Sequence, residues 1–263
     1  MAKFCPLFSG SKGNCIYIGS GDSGILIDAG KSAKQISEAL ISKGIAVDSI
    51  EAIFVTHEHS DHTKGVRVFA NKNKLPVYAT AGTICGMRSQ KMVDEKVNLI
   101  EFDGLVETDK FIIRNFSTSH DTIDPCGYVI ETKCDERKIA VCTDLGVVTD
   151  EVRNSIEGCD LVLLESNHDE RMLLNGIYPY PLKKRIISPK GHLCNDDCAR
   201  ELVRLVEKGA TRLFLGHLSE ENNYPELALE SAVCALSEAG YKKDFDYSIE
   251  VCTPINDKKV VIF

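Results

Sequence analysis

The sequence predicts an α/β sandwich, with two mixed β-sheets packed face to face and helices on both outer faces. Short apolar segments typical of strands come in two groups, and amphipathic segments typical of helices stand before and after each group. Polar residues recur directly behind the apolar segments, as they do where strands end at one edge of a sandwich. The 263 residues are enough to bury a large core, and we expect one domain spanning residues 1–263.

The first group of elements covers the N-terminal part of the chain. Its apolar segments predict strands at residues 4–8, 14–18, 24–28, 53–56 and 76–79. Residues 32–43 are predicted to form an amphipathic helix that Gly44 ends, and residues 63–71 a second helix. The composition of residues 80–96 favours no single structure, and this segment is a candidate lid or substrate guide.

The second group follows the same scheme. Strands are predicted at residues 111–116, 127–132, 139–143, 161–165 and 212–215. The fourth of these segments is apolar up to its final carboxylate, Glu165. Helices are predicted at residues 195–207, with Asn195 as a candidate cap, and at residues 225–239, with Pro225 in the first turn.

Composition and charge narrow the class of protein. Apolar residues make up 43% of the chain and charged residues 27%, which is ordinary for a globular protein. The N-terminus does not resemble an export signal, and no segment approaches the ~18 apolar residues of a membrane span. We therefore expect a cytoplasmic protein with no membrane partner. The net charge of −8 disfavours loose binding to nucleic acid, but it is compatible with a local basic groove.

The eleven cysteines are odd in number and form no C-x-x-C pair. In a chain without an export signal, this pattern predicts reduced thiols in the core of a cytosolic protein. The alternative is a cysteine metal site, for which the closest spacing is Cys194-x-x-x-Cys198.

The stretch from Thr56 to His62, T-H-E-H-S-D-H, carries the strongest chemical signal. Three of the seven histidines fall at positions 57–62, directly after an apolar run. Ligands on a helix face pair at i and i+4, so this spacing predicts a tight loop around a small cation. Imidazole nitrogens with one carboxylate oxygen suit zinc or another first-row divalent metal. The alternative is a charged loop of ordinary surface and core histidines.

Three more polar residues share one context, the end of an apolar segment: they are His120, Asp144 and His217. Taken singly, each is more typical of the surface. Their shared context favours ligands of a site on one edge of the sandwich.

The order H-E-H-S-D-H, His120, Asp144 and His217 resembles the motif series of the metallo-β-lactamase-fold hydrolases. The resemblance implies an αββα sandwich and a site for two divalent metal ions, Zn²⁺ or Mn²⁺. Matched motif by motif, the ligands of the first ion would be His57, His59 and His120, those of the second Asp61, His62 and His217, and Asp144 would bridge the two. Two such ions, about 3.5–4 Å apart, can hold a bridging hydroxide as nucleophile. Asp61 is also a candidate to orient the attacking water. Asp28 is a candidate to fix the metal loop, or simply a turn residue.

Two histidines remain beyond this ligand set, His168 and His192. A phosphodiesterase needs a proton donor for its leaving oxygen, whereas a thioesterase does not. The arrangement resembles the tRNA 3′-end nucleases of the same superfamily, in which a Glu and a later His form an acid pair. By that resemblance Glu165 would orient His192 as the acid. His168 is the second candidate, and either histidine could instead cap a helix or bind a backbone carbonyl.

Four segments together resemble the YycJ/WalJ-type branch of the superfamily, regarded as bacterial 5′→3′ DNA exonucleases; they read SGSKGN (9–14), ESNHD (165–169), GHL (191–193) and GHLSEENN (216–223). Cys194 stands where that branch often has serine. The segment between Asp144 and His217 has no long insertion, which argues against the RNA-processing branch with an extra domain there.

Candidate phosphate contacts flank His192 in sequence: they are Lys183, Lys184, Arg185 and Lys190. Lys12 and Asn14 are candidates on the other side of the site, and the alternative for the basic run is a solvated face. We expect a metal-dependent phosphodiesterase acting on nucleic acid, in particular a 5′→3′ DNA exonuclease, without an obligate protein partner. The alternatives are a thioester or lactone hydrolase of the same superfamily, and a non-catalytic, metal-stabilised signalling module.

Overall fold

A computed structural model describes residues 1–263 of the chain. Two mixed sheets, each of seven strands, form its centre. The first contains β1 (Ala2–Phe8), β2 (Cys15–Ser20), β3 (Ser23–Ile27), β4 (Ile50–Phe54), β5 (Pro76–Ala79), β6 (Asn98–Glu101) and β14 (Val261–Ile262). The second contains β7 (Leu105–Glu107), β8 (Phe111–Ser117), β9 (Cys126–Thr132), β10 (Lys138–Cys142), β11 (Leu161–Glu165), β12 (Arg212–Gly216) and β13 (Ser248–Val251). The strand orders are β14-β1-β2-β3-β4-β5-β6 and β13-β12-β11-β10-β9-β8-β7.

Nine α-helices connect the strands. The N-terminal half contains α1 (Ala33–Ser42), α2 (Ser60–Thr63), α3 (Val66–Asn73) and α4 (Ala81–Ser89), with a 3₁₀ turn at Val47–Ser49. The C-terminal half contains α5 (Asp150–Ile156), α6 (Glu170–Asn175), α7 (Tyr180–Ile187), α8 (Asn195–Glu207) and α9 (Pro225–Glu238). No helix combines the length and the hydropathy needed to span a bilayer.

The core has three apolar layers, and they confirm the predicted sandwich. Helices α1, α3 and α4 pack on the outer face of the first sheet, and α5, α8 and α9 on the outer face of the second. The third layer lies between the sheets and joins Phe4 and Phe54 of the first to Tyr128 and Phe214 of the second. Strand β11 is apolar up to its last residue, Glu165, because both of its faces are covered, one by the helices and the other by the opposite sheet.

The metal-loop region departs from the predicted elements at two points. Its second half is helical, because α2 includes Asp61 and His62. The helix predicted at 63–71 is interrupted at Gly65, whose N–H donates to the Ala29 carbonyl oxygen at 2.7 Å. A Cβ atom at Gly65 would lie 2.0 Å from the Lys31 carbonyl oxygen, so the close approach requires glycine.

The segment at residues 80–96 contains α4, whose Thr83, Ile84 and Met87 are buried. It is therefore part of the packed fold rather than a free lid. Helix α8 has the predicted bounds, but its N-cap is Cys194 and not Asn195. The Asn195 side chain is instead buried and forms hydrogen bonds with the side chains of Ser166 and Asn223.

The prediction that the cysteines lie in the core is wrong for three of the eleven. Cys85, Cys134 and Cys234 are exposed, whereas the other eight are buried. Cys85 and Cys234 lie on the solvent sides of α4 and α9, and Cys134 lies in the turn between β9 and β10.

Candidate metal centre and flanking residues

The strand directions explain why residues far apart in sequence meet at one edge of the sandwich. Strands β8 and β10 both run antiparallel to β9, and β10, β11 and β12 are parallel to one another. Their C-terminal ends therefore point to the same edge, where Glu165 ends β11 and His120, Asp144 and His217 follow their strands. Strands β3 and β4 of the first sheet are also parallel, and they deliver Asp28 and the metal loop.

Three imidazoles form the first candidate metal cluster. The Nδ1 atom of His59 lies 3.1 Å from Nε2 of His57 and 3.4 Å from Nε2 of His120. These are the three residues predicted to share one ion, and their ligand atoms lie within 4.8 Å of one another.

The second candidate cluster contains Asp61, His62 and His217. The Oδ2 atom of Asp61 lies 3.4 Å from Nε2 of His62 and 3.5 Å from Nε2 of His217. The Asp144 carboxylate lies between the two clusters, with Oδ2 3.2 Å from Nε2 of His62 and Oδ1 3.8 Å from Nε2 of His120. Asp144 is thus close to ligand atoms of both clusters.

Hydrogen bonds on the far side of the rings orient them toward the clusters. The Nδ1 atom of His62 donates to Oδ2 of Asp28 at 2.7 Å, and that of His120 donates to the Gly191 carbonyl oxygen at 3.0 Å. The Nδ1 atom of His217 donates to Glu165 at 2.9 Å. In each ring Nδ1 is held by a hydrogen bond and Nε2 faces the cluster, as in most metal-binding histidines.

Thr56 and Asp28 build the support beneath the metal loop. The Thr56 hydroxyl donates to Oδ2 of Asp28 at 2.9 Å and so accepts from Nδ1 of His57 at 3.0 Å. The other Asp28 oxygen accepts from the Thr56 N–H at 2.8 Å. Asp28 is therefore bound to the metal loop and is more than a turn residue.

Two buried atoms in the centre have no hydrogen-bond partner, Oδ2 of Asp144 and Nε2 of His217. The Nε2 atom of His62 lies 3.2 Å from Oδ2 of Asp144, but the two atoms do not form a hydrogen bond in the structure. Buried polar atoms without partners cost about 1–3 kcal/mol each. Divalent cations would satisfy both, and the mixed nitrogen and carboxylate donors fit Zn²⁺ or Mn²⁺.

The charges in the centre also favour cations. Burial lowers the pKa of His62, but the carboxylates of Asp144 and Asp28 outweigh it and raise that pKa well above its usual value. Burial raises the pKa of Asp144, but His217 and His62 hold it well below its usual range. Burial lowers the pKa of His57 and keeps its ring neutral. The carboxylates are thus ionised and His57 is neutral, which are the protonation states that bind metal, whereas His62 would have to release the proton that its raised pKa retains.

Glu165 connects the second cluster to His192. Its Oε1 atom accepts hydrogen bonds from Nδ1 of His192 at 2.7 Å and from Nδ1 of His217 at 2.9 Å. Its Oε2 atom accepts from the backbone N–H groups of Leu145 at 2.9 Å and Leu193 at 3.3 Å. Burial opposes ionisation, but His192 outweighs it and lowers the pKa of Glu165 to about 2. The carboxylate is thus charged and fully bonded inside the protein.

The two candidate acids differ in access. The His192 side chain is 18% exposed, and its bond to Glu165 through Nδ1 leaves Nε2 on the open side. Burial lowers the pKa of His192, but Glu165 outweighs it and raises that pKa. His168 is buried, its Nδ1 atom has no partner, and burial lowers its pKa to about 4.

Of the predicted phosphate contacts near His192, some already have protein partners and others do not. Lys183 donates to the backbone oxygens of Leu174 and Gly176, both at 2.7 Å. Arg185 forms a bidentate ion pair with Asp121, the residue after His120. Lys184 and Lys190 are exposed, and neither makes a hydrogen bond or ion pair.

The two predicted phosphate contacts in the N-terminal loop, Lys12 and Asn14, both have protein partners. Lys12 is paired with Glu220, and this pair links the loop to the segment after His217. Asn14 is buried, and its amide binds the backbone of Gly10. Its Nδ2 atom also lies 3.0 Å from Nε2 of His62, so Asn14 lies against the metal cluster rather than on an outer surface.

A buried amide network behind the centre was missed in the sequence. The side chains of Asn195 and Asn223 bind each other, and Asn195 also accepts from the Ser166 hydroxyl at 2.7 Å. Asn167 donates to the His217 carbonyl oxygen at 2.8 Å. The network joins the loops after β11 and β12, which carry His168 and His217. The motifs ESNHD and GHLSEENN contain all of its members except Asn195, but nothing local indicates that they meet.

Three residues of the centre adopt the left-handed backbone conformation: Asp28, Asp144 and His217, with φ values of 63°, 57° and 54°. Such angles are uncommon outside glycine and are enriched in Asp, Asn and His. Each turns the chain sharply at the end of a strand, and the amino-acid type was the only sequence signal for it.

Comparisons with known proteins agree with this geometry of the candidate metal centre. Residues 24–218 match the β-lactamase superfamily domain. The chain therefore belongs to the β-lactamase superfamily, and its fold and paired His/Asp clusters define a metal-dependent hydrolase of that superfamily.

The similarity to curated relatives narrows the family. The chain is 39% identical over 247 residues to exodeoxyribonuclease YycJ of Bacillus anthracis, which covers 90% of each chain. It is 37% identical over 264 residues to exodeoxyribonuclease WalJ of Streptococcus pneumoniae, which covers 97% of each chain. The predicted membership of the YycJ/WalJ-type branch is thus confirmed. The metallo-β-lactamase fold protein YhfI of Bacillus subtilis aligns over 97% of each chain with a TM-score of 0.71 and 19% identity, which shows the shared fold.

Proposed function

We propose that this protein is a metal-dependent phosphodiesterase that acts on DNA as a 5′→3′ exonuclease. The observation that carries the proposal is the hydrogen bond of 2.7 Å between Glu165 and Nδ1 of His192, next to the two metal clusters. It gives the site an acid directed at the open side, which the leaving oxygen of a phosphodiester needs. The names of the relatives, both exodeoxyribonucleases, support DNA as the substrate.

The ligand roles follow the two clusters. His57, His59 and His120 would hold one divalent ion, Asp61, His62 and His217 the other, and Asp144 would contact both. When bound, two such ions supply Lewis acidity at the phosphorus and an ionised water at neutral pH. Asp61 would orient the attacking water, since its side chain is 22% exposed whereas Asp144 is buried.

The chain itself supplies the proton. Because its pKa is raised, the His192 ring would carry one proton on Nε2 and a second on Nδ1, which is bonded to Glu165. As the bond from phosphorus to the leaving oxygen breaks, Nε2 would donate its proton to that oxygen, and solvent would then replace it. The Glu165 charge stabilises the protonated ring before the transfer and keeps the ring plane fixed. We assign the acid to His192 rather than His168 because the His168 ring is buried.

One set of substrates tests both the chemistry and the direction. The purified protein is incubated with Mn²⁺ or Zn²⁺ and with DNA duplexes and single strands labelled at either end, matched RNA, a thioester and a lactone. We expect 5′-labelled DNA to release its label at once as a short product, while 3′-labelled DNA shortens gradually. Thioester or lactone turnover without DNA cleavage would contradict the proposal, and immediate release of the 3′ label would reverse the direction.

A further inference from the structure

Helix α7 differs from the other eight helices because none of its residues is buried. It nevertheless has large apolar side chains at both ends. Tyr180 is 77% exposed and Ile187 is 42% exposed, and Leu174 at the end of α6 is 58% exposed. Exposed apolar side chains that cluster in this way mark a binding surface more often than a free one.

These side chains line one groove, which we name the α6–α7 groove. Its lining residues are Leu174, Tyr180, Lys183, Lys184, Ile187, Ser188 and Pro189. Its volume is about 620 Å³, within the range of ligand-binding clefts. The Lys183 ammonium group donates to the Leu174 and Gly176 carbonyl oxygens, and this bridge ties α7 to the end of α6. The groove therefore has fixed walls.

One end of the α6–α7 groove adjoins the metal centre. The Ser119 hydroxyl donates to the Pro189 carbonyl oxygen at 2.6 Å, and the next residue, His120, donates to Gly191. Pro189 is thus attached to the loop that carries a predicted metal ligand. It also stands three positions before His192 in the chain. A strand whose scissile bond lies at His192 can extend directly into the groove.

The charge of the groove is opposite to that of the whole protein. Residues 180–190 contain Lys183, Lys184, Arg185 and Lys190 and no acidic residue, whereas the chain has a net charge of −8. Asp121 neutralises Arg185, but Lys184 and Lys190 remain without an anionic partner. An aromatic ring among lysines matches single-stranded nucleic acid, whose bases stack on the ring while its phosphates meet the ammonium groups.

We propose that the α6–α7 groove binds a single-stranded segment of the DNA substrate, with a base stacked on Tyr180, a phosphate at Lys184, and a further phosphate at Lys190, which directly follows Pro189 at the end of the groove. This rests on the proposed function, and it adds the form of the substrate. In a duplex the bases are already stacked on each other, so Tyr180 can be used only by an unpaired segment.

The test compares Tyr180→Ala with Tyr180→Phe, which keeps the ring, and with Phe245→Ala. Phe245 is 85% exposed but lies next to the start of β12, at the opposite edge of the second sheet. Binding is followed by the fluorescence anisotropy of labelled oligothymidine and of a blunt duplex, and cleavage by KM and kcat for both. Hydrolysis of bis(p-nitrophenyl) phosphate, a small phosphodiester, reports the chemistry without the groove.

Stacking of one base is worth about 1–3 kcal/mol, so we expect Tyr180→Ala to weaken oligothymidine binding about tenfold. The same variant should lower the ratio of DNA cleavage to bis(p-nitrophenyl) phosphate hydrolysis by a similar factor. Tyr180→Phe and Phe245→Ala should stay within about twofold of the parent, and duplex binding should change less than single-strand binding. Lys184→Ala should reduce the salt dependence of oligothymidine binding.

The outcomes separate the two proposals. If the parent cleaves DNA and Tyr180→Ala binds and cleaves it like the parent, the groove has another occupant, such as a protein, and this inference is wrong. If the parent hydrolyses no phosphodiester but binds oligothymidine through Tyr180, the groove is confirmed and the proposed function fails. Circular dichroism of each variant confirms that it is folded.

Discussion

Glu165 and His217 are joined by a hydrogen bond of 2.9 Å from Nδ1 to Oε1, and the same oxygen accepts the Nδ1 proton of His192 at 2.7 Å. One buried carboxylate therefore orients a candidate metal ligand and the candidate acid together. Because both rings share this anchor, metal position and proton donation are coupled by geometry.

The first prediction concerns that anchor. Glu165→Gln has nearly the same shape, but its amide has one oxygen for the donors that the carboxylate now satisfies, and its NH₂ group would face N–H groups. We expect metal affinity to fall about 10–100-fold, as for other residues that support metal ligands. Turnover at saturating metal should also fall, because His192 loses its charged partner. Metal titration and kcat measured separately give the two effects.

Glu201→Gln is the matched control for this change. Glu201 is also buried, but its carboxylate pairs with Arg153 on the outer side of the second sheet, away from the centre. Its substitution should affect stability and leave metal affinity near that of the parent. Equal losses of metal affinity in the two variants would mean that Glu165 acts only through folding.

The second prediction separates the acid from the ligands. His192→Ala should lower kcat for DNA by about 10²–10⁴ while metal content stays near that of the parent, because positioned proton donors contribute that much. Asp144→Ala should lose metal, because its carboxylate lies between both clusters. Metal content by mass spectrometry and kcat on DNA distinguish the two.

A substrate whose leaving group needs no proton gives a further test of His192 as the acid. Nitrophenolate leaves without a proton, so His192→Ala should slow bis(p-nitrophenyl) phosphate hydrolysis far less than DNA cleavage. If His192→Ala strips the metal or slows both substrates equally, the division between ligands and acid is wrong.

The candidate metal ligands could be predicted from the sequence because each of them is marked by its local sequence context. Each follows an apolar strand, and strands that run in one direction end at one edge, so His120, Asp144 and His217 could be expected to meet. The apolar strand before Glu165 was equally clear, since burial on both faces removes every polar residue from it.

The substrate contacts were harder to predict from the sequence. Residues far away in the chain determine which partners an exposed charged side chain has. Nothing near Arg185 in sequence indicates that Asp121 neutralises it, and nothing near Lys183 indicates that it binds two backbone oxygens. Asn14 was predicted as a phosphate contact, yet its side chain lies against His62 in the metal cluster. The break at Gly65 also depends on a contact with Lys31, which is remote in the chain.

A third prediction concerns Gly30, which lies between the N-terminal loop and the metal loop. A Cβ atom at this position would lie 1.6 Å from the Asp61 carbonyl oxygen, a backbone atom that cannot move without displacing the second cluster. Overpacking usually costs about 1–3 kcal/mol, and we expect Gly30→Ala to reach the upper end and to lose metal from the second cluster. Urea unfolding and metal content measure the two effects.

Gly158→Ala serves as the comparison. Gly158 has a φ of 75°, but no atom lies within 4 Å of the position that a Cβ atom would take. Its substitution should therefore cost only the backbone strain of about 1–2 kcal/mol and leave metal content unchanged. A Gly30→Ala variant with parental metal content would show that the two loops can separate without opening the site.

The fourth prediction is the pH dependence of DNA cleavage. Burial lowers the pKa of His192, but Glu165 outweighs it, so the ring keeps its proton to a higher pH than an ordinary histidine. An acid with a raised pKa is active below that pKa and is lost as pH rises through it. We therefore expect kcat to fall on the alkaline side, and Glu165→Gln to move this fall to lower pH because the stabilising charge is gone.

The same profile decides between the two histidines. Burial lowers the pKa of His168 to about 4, so this ring has already lost its proton near neutral pH and cannot produce an alkaline fall. His168→Gln should retain the alkaline limb of the profile, which is the fall in kcat at high pH. His192→Gln should have a lower kcat and no alkaline limb. The measurement is kcat at saturating metal and DNA across pH 6–10 for the parent and both variants. A limb that disappears in His168→Gln and persists in His192→Gln would transfer the role of acid to His168.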